Sequence, residues 1–434
     1  MSVPEYDLLV TADDVIAHLA RRDLLHHVLG GDADAADPIE PERAGTIAPS
    51  AGAGGGADAG SPTSDGRTAI RVVEVTAGNM NRVFLARGPA GSLAVKQAPP
   101  WVQVAGPDWP IDPTRIASEA RTYELLAERV PESIPHIVDF DESRFVLVME
   151  DLSDLAVLRD ALVRRISTPG DALEIDFTDL GSVVGRFVGE LAVATSALAL
   201  GDDEHARLIE LAANPELCAL TIDVVLDEPY REHEHNHWHP SLEHRVRDMH
   251  ADADGAVRAA VARIREVFET RHEALVHGDL HSGSVMIGRR DGVQHVKVFD
   301  PEFSFVGPIG LDLGLFWANL ELAALAASVV GDEELAARRY SAVTASLEAF
   351  ASVWLAAGHD EESLARIVRD AWGFAGVEGI RRAAGYSHAA DIESLPSALL
   401  PEASARLFDA ALHHLLTGEP APSAPGTPTE PAGP

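Results

Sequence analysis

The chain has 434 residues, a formal net charge of −35 and one cysteine. This length allows two or three domains, and the strongly acidic balance argues against general binding to nucleic acid or to anionic membranes. A single cysteine, Cys218, excludes an internal disulfide framework and fits a reducing cytoplasm. We expect that no apolar run reaches membrane-spanning length, and the residues from Met1 show no basic, apolar signal pattern, so we expect no membrane partner.

Lysine is nearly absent, because Lys96 and Lys297 are the two lysines in the chain. An acidic surface with so little lysine is compatible with a high-salt cytoplasm, where salt screens the repulsion between like charges. A GC-rich genome that favours arginine codons is the alternative explanation.

The first predicted element is a helix. Residues Thr11 to Asp14 are typical of a helix N-cap with an acidic first turn, and an apolar stripe continues to Val28 and ends at Gly30-Gly31. Residues 32–67 consist mainly of Ala, Gly, Pro, Ser and Asp with almost no large apolar side chain. We therefore predict a disordered insertion there.

Three short strands, a helix and two more strands are predicted next, which is the order of a kinase N-terminal lobe. The predicted strands and helix are Ala69 to Val75, Val83 to Arg87, Leu93 to Gln97, the helix Thr114 to Arg129, Ile137 to Phe140 and Phe145 to Met149. A Pro-rich loop with Trp101 and Trp109 lies between the third strand and the helix. It is either a lid over a site or a segment packed onto the lobe.

The rest of the chain is predicted to be mostly helical. The helices are Leu180 to Leu200, Ala256 to Arg271, Leu311 to Val330, Glu333 to Ala357 and Glu361 to Ala384. We predict an N-terminal lobe at 1–150, a helical lobe at 151–416 and a disordered tail at 417–434. The fold class is thus α+β and two-lobed, with a small β-rich lobe before a larger helical one.

An acidic hairpin is the strongest functional signal. The strands Val285 to Ile287 and Val293 to Phe299 flank an Arg-Asp-Gly turn at 290–292, which is typical of a hairpin. Asp279 precedes the hairpin, and Asp300 and Glu302 follow it, so the three carboxylates are expected to converge. A surface hairpin with acidic ends is the alternative. Kinases use this layout, with one Asp accepting the substrate hydroxyl proton and a later Asp holding magnesium.

Other residues could complete such a site. Lys96, inside an apolar strand, would hold ATP phosphates and pair with Glu119, or else it snorkels to solvent. The turn Gly78 to Asn81 would cover the phosphates with backbone N–H groups, although an ordinary hairpin turn looks the same. Arg381 and Arg382 would bind an oxygen-rich substrate and the transferring phosphoryl group, or cap a solvated helix end.

Two further features are less specific. Alternating histidines at His233, His235, His237 and His239 can bind a metal ion if that segment is extended, and a polar flexible loop is the favoured interpretation. Cys218 is expected to be a small buried hydrophobic residue.

Several separate strings resemble the S-methyl-5-thioribose kinases, within the aminoglycoside phosphotransferase-like kinases. The resemblance covers about Val75 to Ser394, and its most specific strings are HGDLHSGS (277–284), DPEF (300–303), GPIGLDLG (307–314) and FAGVEGIRR (374–382). The strings GNMN (78–81), AVKQA (94–98), VMEDLSD (148–154) and NPELC (214–218) support it. HGDLH alone fits many kinases, whereas Ser284 and DPEF narrow the match to this family. The insertion at 32–67 is unlike the family.

The resemblance implies a protein-kinase-like fold and ATP-dependent phosphorylation of the 1-hydroxyl of 5-methylthioribose by a cytoplasmic homodimer. It implies that Asp279 is the catalytic base and that Arg381 and Arg382 bind substrate. The remaining assignments are ATP contacts at Gly78, Asn79, Asn81, Lys96, Glu150 and Leu152, and Mg²⁺ ligands at Asp300, Glu302 and Ser284.

Two other functions are open. A kinase of another small hydroxylated substrate, such as an aminoglycoside, choline or a sugar, would share HGDLH, but the FAGVEGIRR string argues against it. A non-catalytic nucleotide-binding regulator belongs to a different class of protein. The joint presence of Lys96, Asp279 and Asp300 argues against that class.

Overall fold

The structure is a computed structural model that describes residues 7–30, 70–76, 80–104 and 106–422. The predicted insertion at 32–67, the turn residues Gly78 and Asn79, and residues 423–434 of the predicted tail lie outside the described residues. The chain divides into two compact units, one formed by Met1–Tyr123 with Pro135–Asp154 and the other by Glu124–Ile134 with Leu155–Pro434.

The first unit is built on a five-stranded antiparallel sheet in the order β1-β2-β3-β5-β4. Its elements are α1 (Ala12–Arg21), α2 (His26–Leu29), β1 (Arg71–Val75), β2 (Arg82–Arg87), β3 (Ser92–Gln97), α3 (Arg115–Leu126, whose last turn belongs to the second unit), β4 (Ile137–Asp141) and β5 (Val146–Glu150). The predicted order of three strands, a helix and two strands is confirmed, with each end within a few residues.

The predicted first helix is two helices. Thr11 caps α1 as expected, because its Oγ1 accepts from the backbone N–H of Asp14 while the Asp14 carboxylate accepts from the N–H of Thr11. The helical stripe then breaks at Asp23, which has a left-handed φ of 59°. Apolar side chains of both helices, including Leu19 and Val28, join one core with the buried face of the sheet.

The second unit is mostly helical. Its elements are β6 (Ala156–Val157), α4 (Leu158–Ser167), α5 (Phe177–Thr195), α6 (Ala197–Leu200), α7 (Asp202–Leu211), α8 (Pro215–Thr221), α9 (Glu243–Ala251), α10 (Ala256–Thr270), β7 (Ala274–Val276), β8 (Val285–Arg290), β9 (Val293–Val298), β10 (Phe305–Gly307), α11 (Gly310–Val329), α12 (Glu333–Ala356), α13 (Glu361–Ala384), α14 (Ala390–Glu393) and α15 (Leu400–Thr417). The predicted α+β class, a β-rich unit followed by a larger helical one, is confirmed.

Two predicted segments differ from the structure. The helix predicted at Leu180 to Leu200 begins earlier, because Asp176 caps α5, and it breaks at Ser196, whose backbone is extended. The predicted tail begins at Thr417, which is the last residue of α15, and Ala421 beyond it is buried.

Helix α11 is long and apolar enough to cross a membrane by length and composition alone, so the expectation that no apolar run reaches that length is wrong. However, 89% of its most apolar window is buried inside the protein. Trp317 on α11 donates to the hydroxyl of Ser346 on α12 at 2.9 Å, and Gly314 lies against the backbone of Ala371 on α13. Helix α11 is therefore the core helix of the second unit.

Candidate active site

The β8–β9 hairpin brings the two acidic segments to the same end. Its register runs from Val285 opposite Val298 to the tight turn, where Asp291 and Gly292 have φ values of 53° and 80°. Left-handed conformations at both central residues are those that the two-residue hairpin turn requires. The N–H of Phe299 donates to the Ser284 carbonyl at 3.0 Å, so the loop before the hairpin is bonded to the segment after it.

The backbone of the loop at 277–279 is held by Asp312, a buried residue in the first turn of α11. The N–H groups of His277 and Gly278 donate to the Asp312 carboxylate at 2.7 and 2.9 Å. Burial raises the pKa of Asp312, and these two N–H groups act against that shift. Gly278 has a φ of 84°, and a Cβ there would overlap the carbonyl of Phe303. The loop therefore lies tightly between α11 and the second acidic segment.

The Asp279 carboxylate stays accessible, with 31% of its side chain exposed. Its neighbour His281 has Nε2 3.5 Å from Asp279 Oδ2. Burial lowers the pKa of His281 to about 4 although the charge of Asp279 acts in the opposite direction, so the ring is neutral near pH 7. His281 Nδ1 accepts from the N–H of Gly283 at 2.9 Å, which leaves the ring proton on Nε2, the atom that faces Asp279.

The second acidic segment is fixed by an asparagine. Asp300 has a left-handed φ of 68°, and Glu302 is buried. Asn214 donates from Nδ2 to the carbonyls of Glu302 and Ser304 at 2.9 and 3.2 Å. Ser284 donates its hydroxyl hydrogen to the carbonyl of Asp279 at 2.8 Å, which leaves lone pairs on Oγ. Carboxylate and hydroxyl oxygens of this kind are the donor set that suits Mg²⁺, so Asp300, Glu302 and Ser284 fit that ion.

The arginine pair is buried around a carboxylate. Glu378 has no exposed surface, and its oxygens lie 3.0 Å from Arg381 Nε and 2.7 Å from Arg382 Nε. Burial alone would raise the pKa of Glu378, but the two guanidinium groups outweigh it and lower the pKa to about 2. Both arginines interact electrostatically with Asp279.

The predicted alternative, a solvated helix end, is wrong, because only 13% of the Arg381 side chain and 6% of the Arg382 side chain are exposed.

The structure shows the ion pair expected in the first unit. Lys96 Nζ lies 2.5 Å from Glu119 Oε2, and both residues are buried. Lys96 lies on β3 between Val83 of β2 and Leu147 of β5. The snorkelling alternative is wrong, because a buried carboxylate satisfies the ammonium group inside the unit.

Arg115 was not predicted and fastens two loops of the first unit. Its Nη2 donates to the carbonyl of Met80 and to Oδ1 of Asn81, each at 3.0 Å. Its Nη1 donates to the carbonyls of Pro99 and Asp112 at 3.0 and 3.1 Å. The side-chain oxygen of Asn81 is therefore engaged within the protein, and the tryptophan-containing loop is attached at both its ends.

The remaining nucleotide candidates lie at the end of β5. Glu150 is the last residue of that strand, and its carboxylate accepts from the N–H of His136 at 3.2 Å. Leu152 follows and is buried. Asn81, Lys96, Glu150 and Leu152 belong to the first unit, whereas the other described candidates, Asp279, Ser284, Asp300, Glu302, Arg381 and Arg382, belong to the second.

Several residues that hold the second-unit site were not among the predicted site residues. Glu378 had a usable signal, because it lies three and four positions before Arg381 and Arg382, the helical spacing for ion pairs. His281 and Asp312 lie inside the recognised strings, but the strings do not indicate what these residues contact.

Cys218 is half-buried rather than fully buried as predicted, and burial raises the pKa of its thiol to about 12.

Residues 71–344 match the model of the family described as "Phosphotransferase enzyme family". The chain belongs to this phosphotransferase family, and its class is that of the small-molecule kinases. The predicted protein-kinase-like fold class is thereby confirmed.

Curated relatives carry a more particular name. The chain is 33% identical to a methylthioribose kinase of Bacillus cereus over 331 residues, covering 74% of this chain and 80% of that protein. It is also 33% identical to the methylthioribose kinase of Geobacillus kaustophilus over 343 residues, covering 76% and 82%. A solved glucosamine kinase in complex with glucosamine, ADP and inorganic phosphate aligns at a TM-score of 0.42 and 15% identity, covering 80% of this chain and 79% of that one.

Proposed function

We propose that the protein is a methylthioribose kinase. It transfers the γ-phosphoryl group of ATP to the 1-hydroxyl of 5-methylthioribose and forms 5-methylthioribose 1-phosphate and ADP in methionine salvage. The observation that carries the proposed reaction is a partly exposed Asp279 carboxylate that interacts electrostatically with the half-buried Arg381 and the buried Arg382. The names of the curated relatives and the strings shared with their family support the choice of substrate.

In the proposed mechanism, Asp279 accepts the proton of the acceptor hydroxyl. A bond forms between that oxygen and the γ-phosphorus, and the bond from the γ-phosphorus to the ADP oxygen breaks. The neutral His281 ring, whose Nε2 lies 3.5 Å from Asp279 Oδ2, adds no positive charge that would lower the affinity of the carboxylate for the proton. The general-base contribution is typically about 10²–10⁴ in rate.

The arginines hold the acceptor and the transferring group. Arg381 forms an ion pair with Glu378, and its Nη2 donates to Glu378 Oε1 at 3.5 Å. Arg382 is held by a bond from Nε to the same oxygen at 2.7 Å and by a bond from Nη1 to the carbonyl of His388 at 2.9 Å. Guanidinium groups held in this way donate hydrogen bonds in fixed directions, which suits sugar hydroxyls and the negative charge that spreads over the phosphoryl oxygens.

The nucleotide and metal roles are proposals of the same kind. Lys96 binds the α- and β-phosphates, and the ATP-contacting set is completed by Gly78, Asn79, Asn81, Glu150 and Leu152. Asp300, Glu302 and Ser284 would hold Mg²⁺, which neutralises charge on the phosphates when it is bound. On the family resemblance, we also propose that the enzyme is a cytoplasmic homodimer.

A substrate panel tests the function. Purified protein is assayed for ATP consumption with methylthioribose, ribose, choline and kanamycin, each with and without Mg²⁺. We expect Mg²⁺-dependent turnover of methylthioribose, and the Asp279→Asn variant controls for contaminating ATPases. Robust turnover of another member of the panel and none of methylthioribose would overturn the proposal.

A further inference from the structure

The four alternating histidines have no part in the proposed reaction. The structure separates them, because His233 and His235 lie against Glu228, whereas His237 lies beside His388 and Glu393. His239 is in neither group, and its Nδ1 is bonded to the hydroxyl of Ser241 at 2.8 Å. Glu228, His233 and His235 together form what we call the histidine cluster.

The histidine cluster has the dimensions of a metal site. Glu228 Oε2 lies 3.5 Å from His233 Nδ1 and 3.1 Å from His235 Nδ1, and the three ligand atoms lie within 4.8 Å of one another. Around a tetrahedral zinc ion with bonds of about 2.0–2.1 Å, neighbouring ligand atoms lie about 3.3 Å apart. The two distances to Glu228 bracket that value.

The protonation of His233 also favours a cation. The N–H of His235 donates to His233 Nδ1 at 3.4 Å, so this nitrogen presents a lone pair and not a hydrogen. A lone pair and a carboxylate oxygen 3.5 Å apart repel each other unless a positive charge lies between them. A metal ion in the histidine cluster would supply that charge and replace the long bond from His235.

The surrounding segment is already shaped. Glu228 is buried, and its carbonyl accepts from Nδ2 of Asn236 at 2.7 Å. The same Nδ2 donates to the carbonyl of Arg231 at 2.9 Å. Asn236 therefore holds the turn that carries both histidines. Because this turn is already ordered, the binding of an ion would cost little conformational entropy.

The second group of histidines is less suited to a metal. His388 Nδ1 is bonded to both oxygens of Glu393, at 3.0 and 3.1 Å, and both of these residues are exposed, whereas Glu228 in the histidine cluster is buried. His237 Nε2 is 4.0 Å from Glu393 Oε1. The second group is therefore a hydrogen-bonded pair, His388 and Glu393, with the ring of His237 beside it. It provides a control for the histidine cluster.

We propose that Glu228, His233 and His235 bind one divalent transition-metal ion of the zinc class, with water in the fourth position. Two imidazoles and one carboxylate suit zinc, cobalt or nickel, whereas Mg²⁺ prefers an all-oxygen shell. This site is separate from the Asp300 and Glu302 segment proposed for Mg²⁺.

The site would act on the acceptor side of the enzyme. Tyr230, two residues after Glu228, has a buried hydroxyl for which the described residues supply no hydrogen-bond partner, and it interacts electrostatically with Glu378. An ion that fixes Glu228 and the turn after it would therefore fix the backbone that carries Tyr230 to the arginine pair.

Metal retention tests the proposal directly. The full, untagged chain is stripped with a chelator, dialysed against Zn²⁺ in an excess of Mg²⁺, and its metal content is measured by mass spectrometry. We expect about one zinc ion per chain, and we expect Zn²⁺ to raise the melting temperature of the stripped protein.

Matched variants identify the ligands. The double variant His233→Ala/His235→Ala should lose the retained zinc and its effect on melting. Two controls, His239→Ala and His237→Ala/His388→Ala, should keep both. Because the cluster variant also loses the hydrogen bond between His235 Nδ1 and the buried Glu228, the melting temperature of each variant in Zn²⁺ is compared with that of the same variant after stripping. The proposal is overturned if the parent retains no zinc or if the cluster variant retains as much zinc as the parent. It is also overturned if the His237→Ala/His388→Ala variant is the one that loses the zinc.

Discussion

Asp279 combines a partly exposed carboxylate with a backbone that is held by its neighbours. Replacing it by asparagine removes the base but keeps the shape, so we expect the Asp279→Asn variant to lose about 10²–10⁴ in kcat with nearly unchanged ATP affinity. Asp300→Ala should instead weaken binding of the metal–nucleotide complex. Calorimetric ATP titrations in Mg²⁺ separate the two, and equal losses of affinity would contradict the assigned roles.

His281 gives the site a pH signature. Its pKa falls from 6.5 to about 4 on folding, so below about pH 6.5 the unfolded chain binds a proton that the folded chain does not. The stability that the neutral ring contributes is therefore full above that pH and is lost as the pH falls towards 4. Glutamine does not titrate, so the difference in unfolding free energy between the parent and His281→Gln should shrink from pH 7 to pH 4. Urea denaturation at several pH values measures it, and a constant difference would refute this assignment.

Glu378 holds two buried positive charges. The Glu378→Gln variant keeps the volume but removes the buried carboxylate that lies against both guanidinium groups, and we expect a loss of about 3–5 kcal/mol in the free energy of unfolding. The exposed Glu362 on the same helix provides the control, since Glu362→Gln should change stability by less than about 0.5 kcal/mol. Denaturant titrations compare the two, and similar small effects would show that the arginines have other partners.

At the scale of single residues, the sequence was sufficient where the partners are close in the chain or occur in a known string. Lys96 and Glu119 follow from the strand and helix that carry them. Asn214 could not be predicted, because it bonds to backbone carbonyls nearly ninety positions away. Arg115 likewise serves loops that meet only in the folded unit.

The helices α5 and α12 show how glycine determines the packing of whole elements. A Cβ at Gly181 or Gly185 would overlap the carbonyls of Ala342 and Ser346 on α12. We therefore expect Gly185→Ala to force the helices apart and to cost about 1–3 kcal/mol, although alanine is the better helix former. Gly170→Ala is the control, since a Cβ there would meet no described atom. If the two variants have equal stability in urea, the close approach of α5 and α12 is not required.

Most elements could be predicted because their signals are local. The β8–β9 hairpin follows from an Asp-Gly turn between alternating strands, and α12 and α13 follow from their long periodic patterns. The strands β6, β7 and β10 have two or three residues each, too few for a periodicity, and they form by pairing with distant segments. The break between α5 and α6 depends on one extended residue, Ser196, which has no distinctive composition.

For the whole molecule, the net charge of −35 opposes compaction. Salt shortens the screening length from about 10 Å at 0.1 M to about 3 Å at 1 M, so the repulsion between surface carboxylates should weaken. We expect the melting temperature to rise between these concentrations, and to rise similarly in potassium and sodium chloride. An unchanged or lower melting temperature at 1 M would favour codon bias as the explanation of the composition.

The division into a β-rich and a helical unit was predictable from the order of the motifs along the chain. The clustering of His233 and His235 with Glu228 was not, because alternation alone does not say where the chain turns. The separation of His237 from them depends on contacts with a segment about 150 positions later.

The burial of both lysines has a practical consequence. Lys96 and Lys297 are 6% and 7% exposed, and the Lys297 ammonium group donates to the carbonyl of Ile134 at 2.7 Å. An acylating reagent or a lysine-specific protease needs an accessible ε-amine. In the folded chain, the ε-amines of both lysines are buried and inaccessible to such reagents. Modification at either lysine therefore reports that its own unit has opened, Lys96 for the sheet unit and Lys297 for the helical unit. The chain thus carries one built-in chemical probe of unfolding in each of its two parts.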